Sequence, residues 1–403
     1  MPRLLQINIT ATWGSHGRIA EEIGQLAMQN GWESYIAYGR WANPSKSHLI
    51  KIGSMWDERW HGVQSRLLDN HGLASKKATN QLINVIKEIK PDLVHLHNIH
   101  GYYLNYPLLF DYLSHANIPV VWTLHDCWTM TGHCSHFMIS GCEKWKTECY
   151  DCCELKEYPT SWWRDGSRTN YQKKTYWFNL IPDMTLVPVC DWLSGVVSDS
   201  FLNGNKKRRI YNGIDLAVFS PQGDRDEGAK HNTKYHVIAV ASKWTDRKGL
   251  SDIVQIRGLL GEDYQITLVG LTKKQCENLP HNINGIVRTN SVKELAGLYS
   301  SADVFINPTY EDNFPTTNIE ALACGTPVVT YRTGGSPEAI DNQTGIVVEV
   351  GDINGVVDGI KKVCQSDHKE ETRRLCRERA VKYFNKDDRY KEYLDLYQSL
   401  LNK

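Results

Sequence analysis

Asp312 and Glu320 stand at the two ends of "DNFPTTNIE", with seven residues between them. The run predicts a short helix: Thr316 or Thr317 supplies the cap, Ile319, Leu322 and Ala323 recur at helical spacing, and Gly325 suits the left-handed residue that ends it. The first amide N–H groups of a helix have no partner inside it, so together with the helix dipole they attract an anion such as a phosphate. Carboxylates beside that site repel the anion unless they bind hydroxyls instead. A ligand with both a diphosphate and hydroxyl-rich sugars satisfies the whole stretch. The plainer alternative is an Asp312 that caps a turn and a solvated Glu320.

A diphosphate calls for positive charge beside it, since charge-assisted hydrogen bonds to its oxygens are the strong ones. "SKWTDRKGL" supplies Lys243, Arg247 and Lys248 after a predicted strand, with a merely solvated loop as the alternative. His125 ends "VVWTLHD", where open α/β sheets bind ligands, and Asp126 stands next in sequence to orient it. A histidine bonded only to backbone is the competing account. "TATWGSHGRIAEEIG" sets Gly14 and Gly17 between a strand and a helix with Ile19, Ile23 and Leu26 on one face. Glycines there let a ligand approach the backbone, or simply make a tight turn. His95, His97 and His100 in "HLHNIHGYYLN" alternate on a strand and then a loop, and are expected to shape a site rather than to bind metal.

A second chemistry lies in "GHCSHFMISGCEKWKTECYDCCELKEYP", which carries Cys134, Cys142, Cys149 and Cys152. The C-x2-C pair is half of a tetrahedral zinc site, and four thiolates complete a structural one. Cys153 can replace Cys152, and His133 or His136 can replace a thiolate; reduced or redox-linked thiols are the other reading. Eleven cysteines, mostly scattered and without a secretory signal, argue against a disulfide scaffold. Cys190, Cys276, Cys324, Cys364 and Cys376 are expected as small buried hydrophobes. The following segment alternates aromatic and basic residues. Its Trp162, Trp163, Tyr176, Trp177 and Phe178 can edge an acceptor groove, touch lipid head groups or pack the insert onto its domain.

The elements that must position these residues are α/β. Short β-rich runs such as "RLLQINI", "DLVHLHN", "VVWTLHD", "YHVIAVAS", "QITLVG" and "DVFINPT" alternate with helical patterns, the signature of parallel sheets. The 403 residues suffice for two domains. The polar "NGNKKRR", the turn-like "NGID" and the stretch 220–234 put their boundary near 205. The G-x-G-x-x-G fingerprint is missing from the first turns, which disfavours a dehydrogenase. Lys+Arg 46 against Asp+Glu 46 gives zero formal net charge and no support for wide nucleic-acid binding. "MPRLLQINIT" reads as a strand rather than a signal peptide, and no apolar run approaches the ~20 residues that span a bilayer, so a cytoplasmic location is expected.

With these pieces in order the chain resembles glycosyltransferase family 4, the retaining GT-B enzymes, and especially its bacterial exopolysaccharide members of the colanic-acid type. The residues that carry the resemblance are "GSHGRIAEEIG", "HLHNIHGYYLN", "WTLHDCWTMTGHC", "CEKWKTECYDC", "NGID", "RKGL" and "DNFPTTNIEALACGTPVV". The resemblance implies two Rossmann-like domains facing a central cleft. An acceptor domain would span 1–204, with the cysteine-rich insert at about 127–180. A donor domain would span 205–385, and a last helix at 386–403 would pack back on the first domain.

It further implies that Glu320 binds ribose hydroxyls. Asp312 and the amides around Asn313, Phe314, Pro315 and Thr316 would face the transferred sugar and diphosphate, with Gly14 and Gly17 approaching the donor. Lys248 matches the family's phosphate-binding lysine, Arg247 lies beside it, and Lys243 substitutes for an arginine that would fall near Ser242. His125 matches a histidine close to the transferred sugar. The implied reaction moves a hexose from a UDP- or GDP-sugar to a saccharide, lipid-linked acceptor, with no metal required for transfer. It would take place in the cytoplasm, with peripheral contact at the inner face of the membrane. An epimerase on the same fold and a non-catalytic saccharide-binding subunit are the rival readings.

Overall fold

The computed structural model describes residues 1–222 and 235–402, so most of the polar stretch 220–234 lies outside the described residues. The chain divides into two compact units: 1–210 together with the residues from Arg389 onward, and Tyr211–Asp388.

Strands of the first unit are β1 (Arg3–Asn8), β2 (Glu33–Tyr38), β3 (His48–Lys51), β4 (Leu93–Leu96), β5 (Val120–Leu124), β6 (Met184–Pro188) and β7 (Lys206–Lys207). They form one parallel sheet in the order β3-β2-β1-β4-β5-β6-β7. The second unit contributes β8 (Tyr235–Val240), β9 (Tyr264–Val269), β10 (Ile283–Ile286), β11 (Val304–Asn307), β12 (Val328–Tyr331) and β13 (Gly345–Val348). Their order is β10-β9-β8-β11-β12-β13, again parallel among the described residues. Central strands buried on both faces, such as β4, β5 and β11, read as continuous apolar runs because helices cover both sides of the sheet. Both units are therefore the expected Rossmann-like α/β folds.

In each sheet the strand order reverses at one place, between β1 and β4 and between β8 and β11. Loops leaving the carboxyl ends of strands at such a switch point splay apart and leave a crevice for ligands. The loops after β1, β4, β8 and β11 carry Gly14, His97, Lys248 and Asp312 respectively.

Two sequence expectations change. The segment "NGNKKRR" is not wholly linker, since Lys206 and Lys207 pair beside Thr185 and Leu186 as an edge strand, and Ile210 joins the first unit's core. The division thus falls after 210 rather than near 205. Phe178 is fully buried between Phe110 and Trp122 and belongs to the core, whereas Trp162, Trp163 and Tyr176 are exposed.

The helix Lys386–Leu401 begins in the second unit and buries Tyr390, Tyr393, Tyr397 and Leu400 against Leu4, Ile23, Trp32 and Val187 of the first. Its tyrosines also satisfy polar groups there: Tyr390 donates to Glu22 at 2.7 Å, and Tyr397 Oη lies 2.6 Å from His95 Nδ1. Where the helix starts, Ile214 N–H donates to Phe384 O and Lys386 N–H to Ile214 O, which ties the "NGID" turn to it. A Cβ on Gly213 would lie 2.4 Å from Lys386 Cα, so only glycine permits that approach.

Candidate active site

In the second unit the loop after β11 leads into the helix Thr316–Ala323. Pro315, not a threonine, occupies the N-cap position, and it makes no side-chain cap hydrogen bond; Thr316 is already helical. The expected threonine cap is thus corrected: the fixed φ of proline starts the helix, and no side chain competes for its leading amides. Gly325, at φ 77°, ends the helix as its sequence position suggested.

Asn313 and Phe314 are buried just ahead of the helix, where the Phe314 ring stacks on Tyr211 with centroids 5.1 Å apart. Gly334 lies so close to this loop, at φ 50°, that a Cβ would stand 1.8 Å from Asp312 O, and Gly335 N–H donates to Asn313 O at 2.8 Å. These two glycines, which the sequence reading passed over in "TGGSPE", hold the acidic loop in place.

The loop after β8 ends in a single 3-10 turn, Asp246–Lys248, closed by Gly249 at φ 77°. Arg247 O accepts from Tyr310 N–H, which straps this turn to the loop after β11. As a result Lys248 Nζ reaches Asp312 Oδ2 at 2.5 Å, with both side chains about one-quarter exposed (22 % and 25 %). The pairing removes the difficulty posed by a carboxylate beside an anion site, because the cation offsets its charge. Lys243 is exposed on the same loop. Glu320 is only 7 % exposed, and Tyr299 donates to its Oε2 at 3.2 Å. Tyr299 orients this carboxylate from a different helix and was not singled out from the sequence.

In the first unit, Gly14 takes φ 69° and opens the helix Gly14–Gln29. A Cβ on Gly17 would come 2.6 Å from Thr10 Oγ1, so both glycines are needed by the backbone itself. Next to them lies a cluster of histidines. His125 Nε2 is 3.3 Å from His97 Nδ1 in a stacked pair, and the His16 ring is 6.0 Å from His125.

The Asp126 carboxylate engages His100 Nε2 at 2.7 Å and accepts from Trp128 N–H at 2.9 Å, and its charge favours the protonated form of His125. Burial opposes ionisation of Asp126, yet the charge and hydrogen bond of His100 hold its carboxyl well below the ordinary range. Burial, then His97 and His16, pushes His125 well below its usual value, so the ring is neutral at pH 7 and offers hydrogen bonds rather than charge. His95 is structural, held between Thr123 and Tyr397.

These histidines make an acid-stability prediction. Burial lowers His61 to about 3 and, with the charge of His100, His16 to about 4; His71, His95 and His97 also lie well below 6.5. Below pH 6.5 the unfolded chain takes up protons that the folded one refuses, so stability is full above 6.5 and falls as pH drops. The loss per such histidine is ~1.4 kcal/mol per pH unit. Thermal unfolding followed from pH 7.5 to 4.5 should show a steeply falling midpoint. A flat midpoint would mean that these rings protonate in the folded state.

Cys134, Cys142, Cys149, Cys152 and Cys153 all line one cavity of about 20 Å³. The thiols perturb one another: Cys152 and then burial push Cys134 well above its usual value, and burial, with a smaller contribution from Cys153, raises Cys142. Cys149 Sγ accepts from Gly132 N–H at 3.2 Å. Among the described residues no group of three or more His, Cys, Asp or Glu side chains is arranged to hold a metal ion. The tetrahedral set expected from the spacing is therefore gathered around one space but not formed. Asp69, buried, anchors the insert by accepting from Gly166 N–H at 2.9 Å, with its Oδ1 2.7 Å from His133 Nδ1.

Comparison with known proteins agrees with this geometry. Residues 16–218 match the profile of Glycosyltransferase Family 4, and residues 234–366 that of Glycosyl transferases group 1. A protein of Escherichia coli K12 that bears the name "Putative colanic acid biosynthesis glycosyl transferase WcaC" is 25 % identical over 98 % of this chain and 100 % of its own. Among solved structures, sucrose-phosphate synthase of Thermosynechococcus elongatus superposes with a TM-score of 0.73 at 16 % identity, covering 100 % of both chains. HepE of Anabaena in complex with UDP-glucose gives 0.65 at 12 %, covering 98 % of this chain and 99 % of that one. With both halves matched and the two-unit GT-B fold in place, the chain belongs to glycosyltransferase family 4 and is a glycosyltransferase.

Proposed function

We propose that the chain is a retaining hexosyltransferase that takes a hexose from a UDP- or GDP-linked donor and adds it to a saccharide acceptor, lipid-linked, in the assembly of a bacterial surface polysaccharide. The observation that carries this reading is the Lys248–Asp312 pair beside a proline-started helix at the β8/β11 switch point. There the leading amides of the helix and the Lys248 ammonium receive the diphosphate, and Asp312, freed from Lys248, turns to sugar hydroxyls. Glu320, aimed by Tyr299, takes the ribose. Arg247 and Lys243 add positive charge around the leaving group. In the first unit, neutral His125, with Gly14 and Gly17, serves the sugar and the acceptor.

The UDP-glucose complex of HepE supports a nucleotide-sugar donor, and the likeness to WcaC supports a polysaccharide product. The reading is tested by incubating the protein with UDP- and GDP-sugars and following release of nucleoside diphosphate. Release that depends on added lipid-linked saccharide supports it, whereas interconversion of donor sugars without acceptor points to an epimerase. The proposal places the chain in peripheral contact with the membrane; no helix among the described residues is long and apolar enough to cross one.

The proposal extends to a structural zinc in the cysteine-lined cavity, drawn in by rotation of Cys134, Cys142, Cys149 and Cys152; transfer itself requires no metal. Freshly purified, reduced protein should carry about one zinc per chain, and a chelator or Cys149→Ser should lower its unfolding temperature, because metal binding is part of the folding free energy. Elemental analysis finding no metal would leave the cysteines as free thiols.

A further inference from the structure

The helix Met55–Leu68 is turned inside out. Its buried side consists of His61, Gly62 and Ser65, while Trp56 (74 % exposed), Trp60 (63 %) and Val63 (42 %) face outward. Spaced i, i+4 and i+7, these three share one stripe, which an amphipathic helix ordinarily turns toward a core. The helix is well formed without that burial. Ser54 and Asp57 make a capping box, and Glu58 pairs with Lys51 at 2.7 Å and Arg40 at 3.5 Å.

Both acids of the helix are thus committed locally, as is Arg66, which donates to Gly62 O at 3.0 Å and lies over the Tyr102 ring, whereas the exposed Arg59 flanks the stripe with its guanidinium 5.2 Å from the Trp56 ring. Trp162 N–H donates to Arg66 O at 2.7 Å, which brings the exposed Trp162 and Trp163 (80 %) and the neighbouring Arg164 alongside the end of the same helix. A chain of zero net charge has therefore set exposed Trp162, Trp163 and Arg164 beside the end of the helix that exposes Trp56, Trp60 and Arg59.

We propose that this face seats on an anionic phospholipid surface, with the indoles entering the head-group region and the arginines meeting phosphates. Tryptophan favours that interface because it is apolar with one N–H donor, and each basic group near an anionic leaflet adds attraction. A second copy of this chain fits less well, since a two-fold contact would set the arginine-flanked stripe against itself. The inference rests on the reading that the acceptor is lipid-linked, and it names the part of the first unit that meets the acceptor's membrane.

The test is sedimentation of the full chain with vesicles of phosphatidylcholine alone or mixed with phosphatidylglycerol. The protein should sediment with the mixed vesicles and much less with phosphatidylcholine, and added salt should release it. Trp56→Ser combined with Trp60→Ser should weaken vesicle binding by about tenfold or more, given the apolar area an indole buries. Circular dichroism should be unchanged, because both side chains are exposed. The proposal fails if the parent protein ignores mixed vesicles, if the double variant binds them as well as the parent, or if the parent is a dimer that the double variant abolishes. Calorimetry with a nucleoside diphosphate on the same double variant keeps the two readings apart. Nucleotide binding should persist there whatever the vesicles show, and its absence from the parent would count against the donor reading alone.

Discussion

Lys248→Ala lowers turnover by about a hundredfold to a thousandfold, the ~2.7 to 4 kcal/mol that a preorganised donor to a developing oxyanion contributes. The ammonium stands 2.5 Å from Asp312 at the mouth of the helix Thr316–Ala323, where diphosphate charge grows as the sugar departs. Donor affinity should change less if Arg247 and Lys243 share the ground-state contacts. Removing Lys248 also leaves Asp312 without the cation that offsets it, so part of any affinity loss should return in Lys248→Ala combined with Asp312→Asn, while turnover stays low. Steady-state turnover and donor binding measured on the same folded variants decide the matter. Turnover within a few fold of the parent would assign Lys248 to a solvated loop.

Glu320→Gln should weaken nucleotide and nucleotide-sugar binding alike, by roughly 1.5 to 3 kcal/mol for a hydrogen bond to a charged group. The side chain is nearly buried and Tyr299 already donates to one oxygen, so the substitution keeps the shape and removes the charge. Equal losses for the nucleotide and for its sugar conjugate mark a contact to ribose. Unchanged nucleotide affinity in calorimetry would remove Glu320 from the donor site.

Much of the fold was legible because buried parallel strands announce themselves as apolar runs: "VVWTL" and "VFIN" cannot be solvated. The edge strands β3, β7 and β10 were not, since His48–Lys51 is largely exposed, Lys206–Lys207 is wholly polar, and Ile283–Ile286 contains Gly285. The site followed the same division. Spacing within one loop drew attention to Asp312 and Glu320, the strand-then-cation pattern offered Lys243, Arg247 and Lys248 together, and the family resemblance chose Lys248 among them. Partnerships set by tertiary structure were hidden. Asp126 binds His100 from the loop after another strand, Tyr299 reaches Glu320 from another helix, and Gly334 makes room for Asp312 from the loop after β12. The outward stripe of the helix Met55–Leu68 was hidden for a related reason: sequence periodicity reveals an apolar face, but not whether that face points in or out.

The central claim, transfer of a hexose from a nucleotide donor with retention, is tested most directly by proton NMR of the purified protein with UDP- and GDP-sugars and a lipid-linked saccharide extract. One α-linked donor should be consumed, its nucleoside diphosphate released, and a new anomeric signal should appear with the small coupling of an α-linked glucose- or galactose-type product. A β-linked product from that donor, or nucleotide binding without consumption of any donor, would contradict the account.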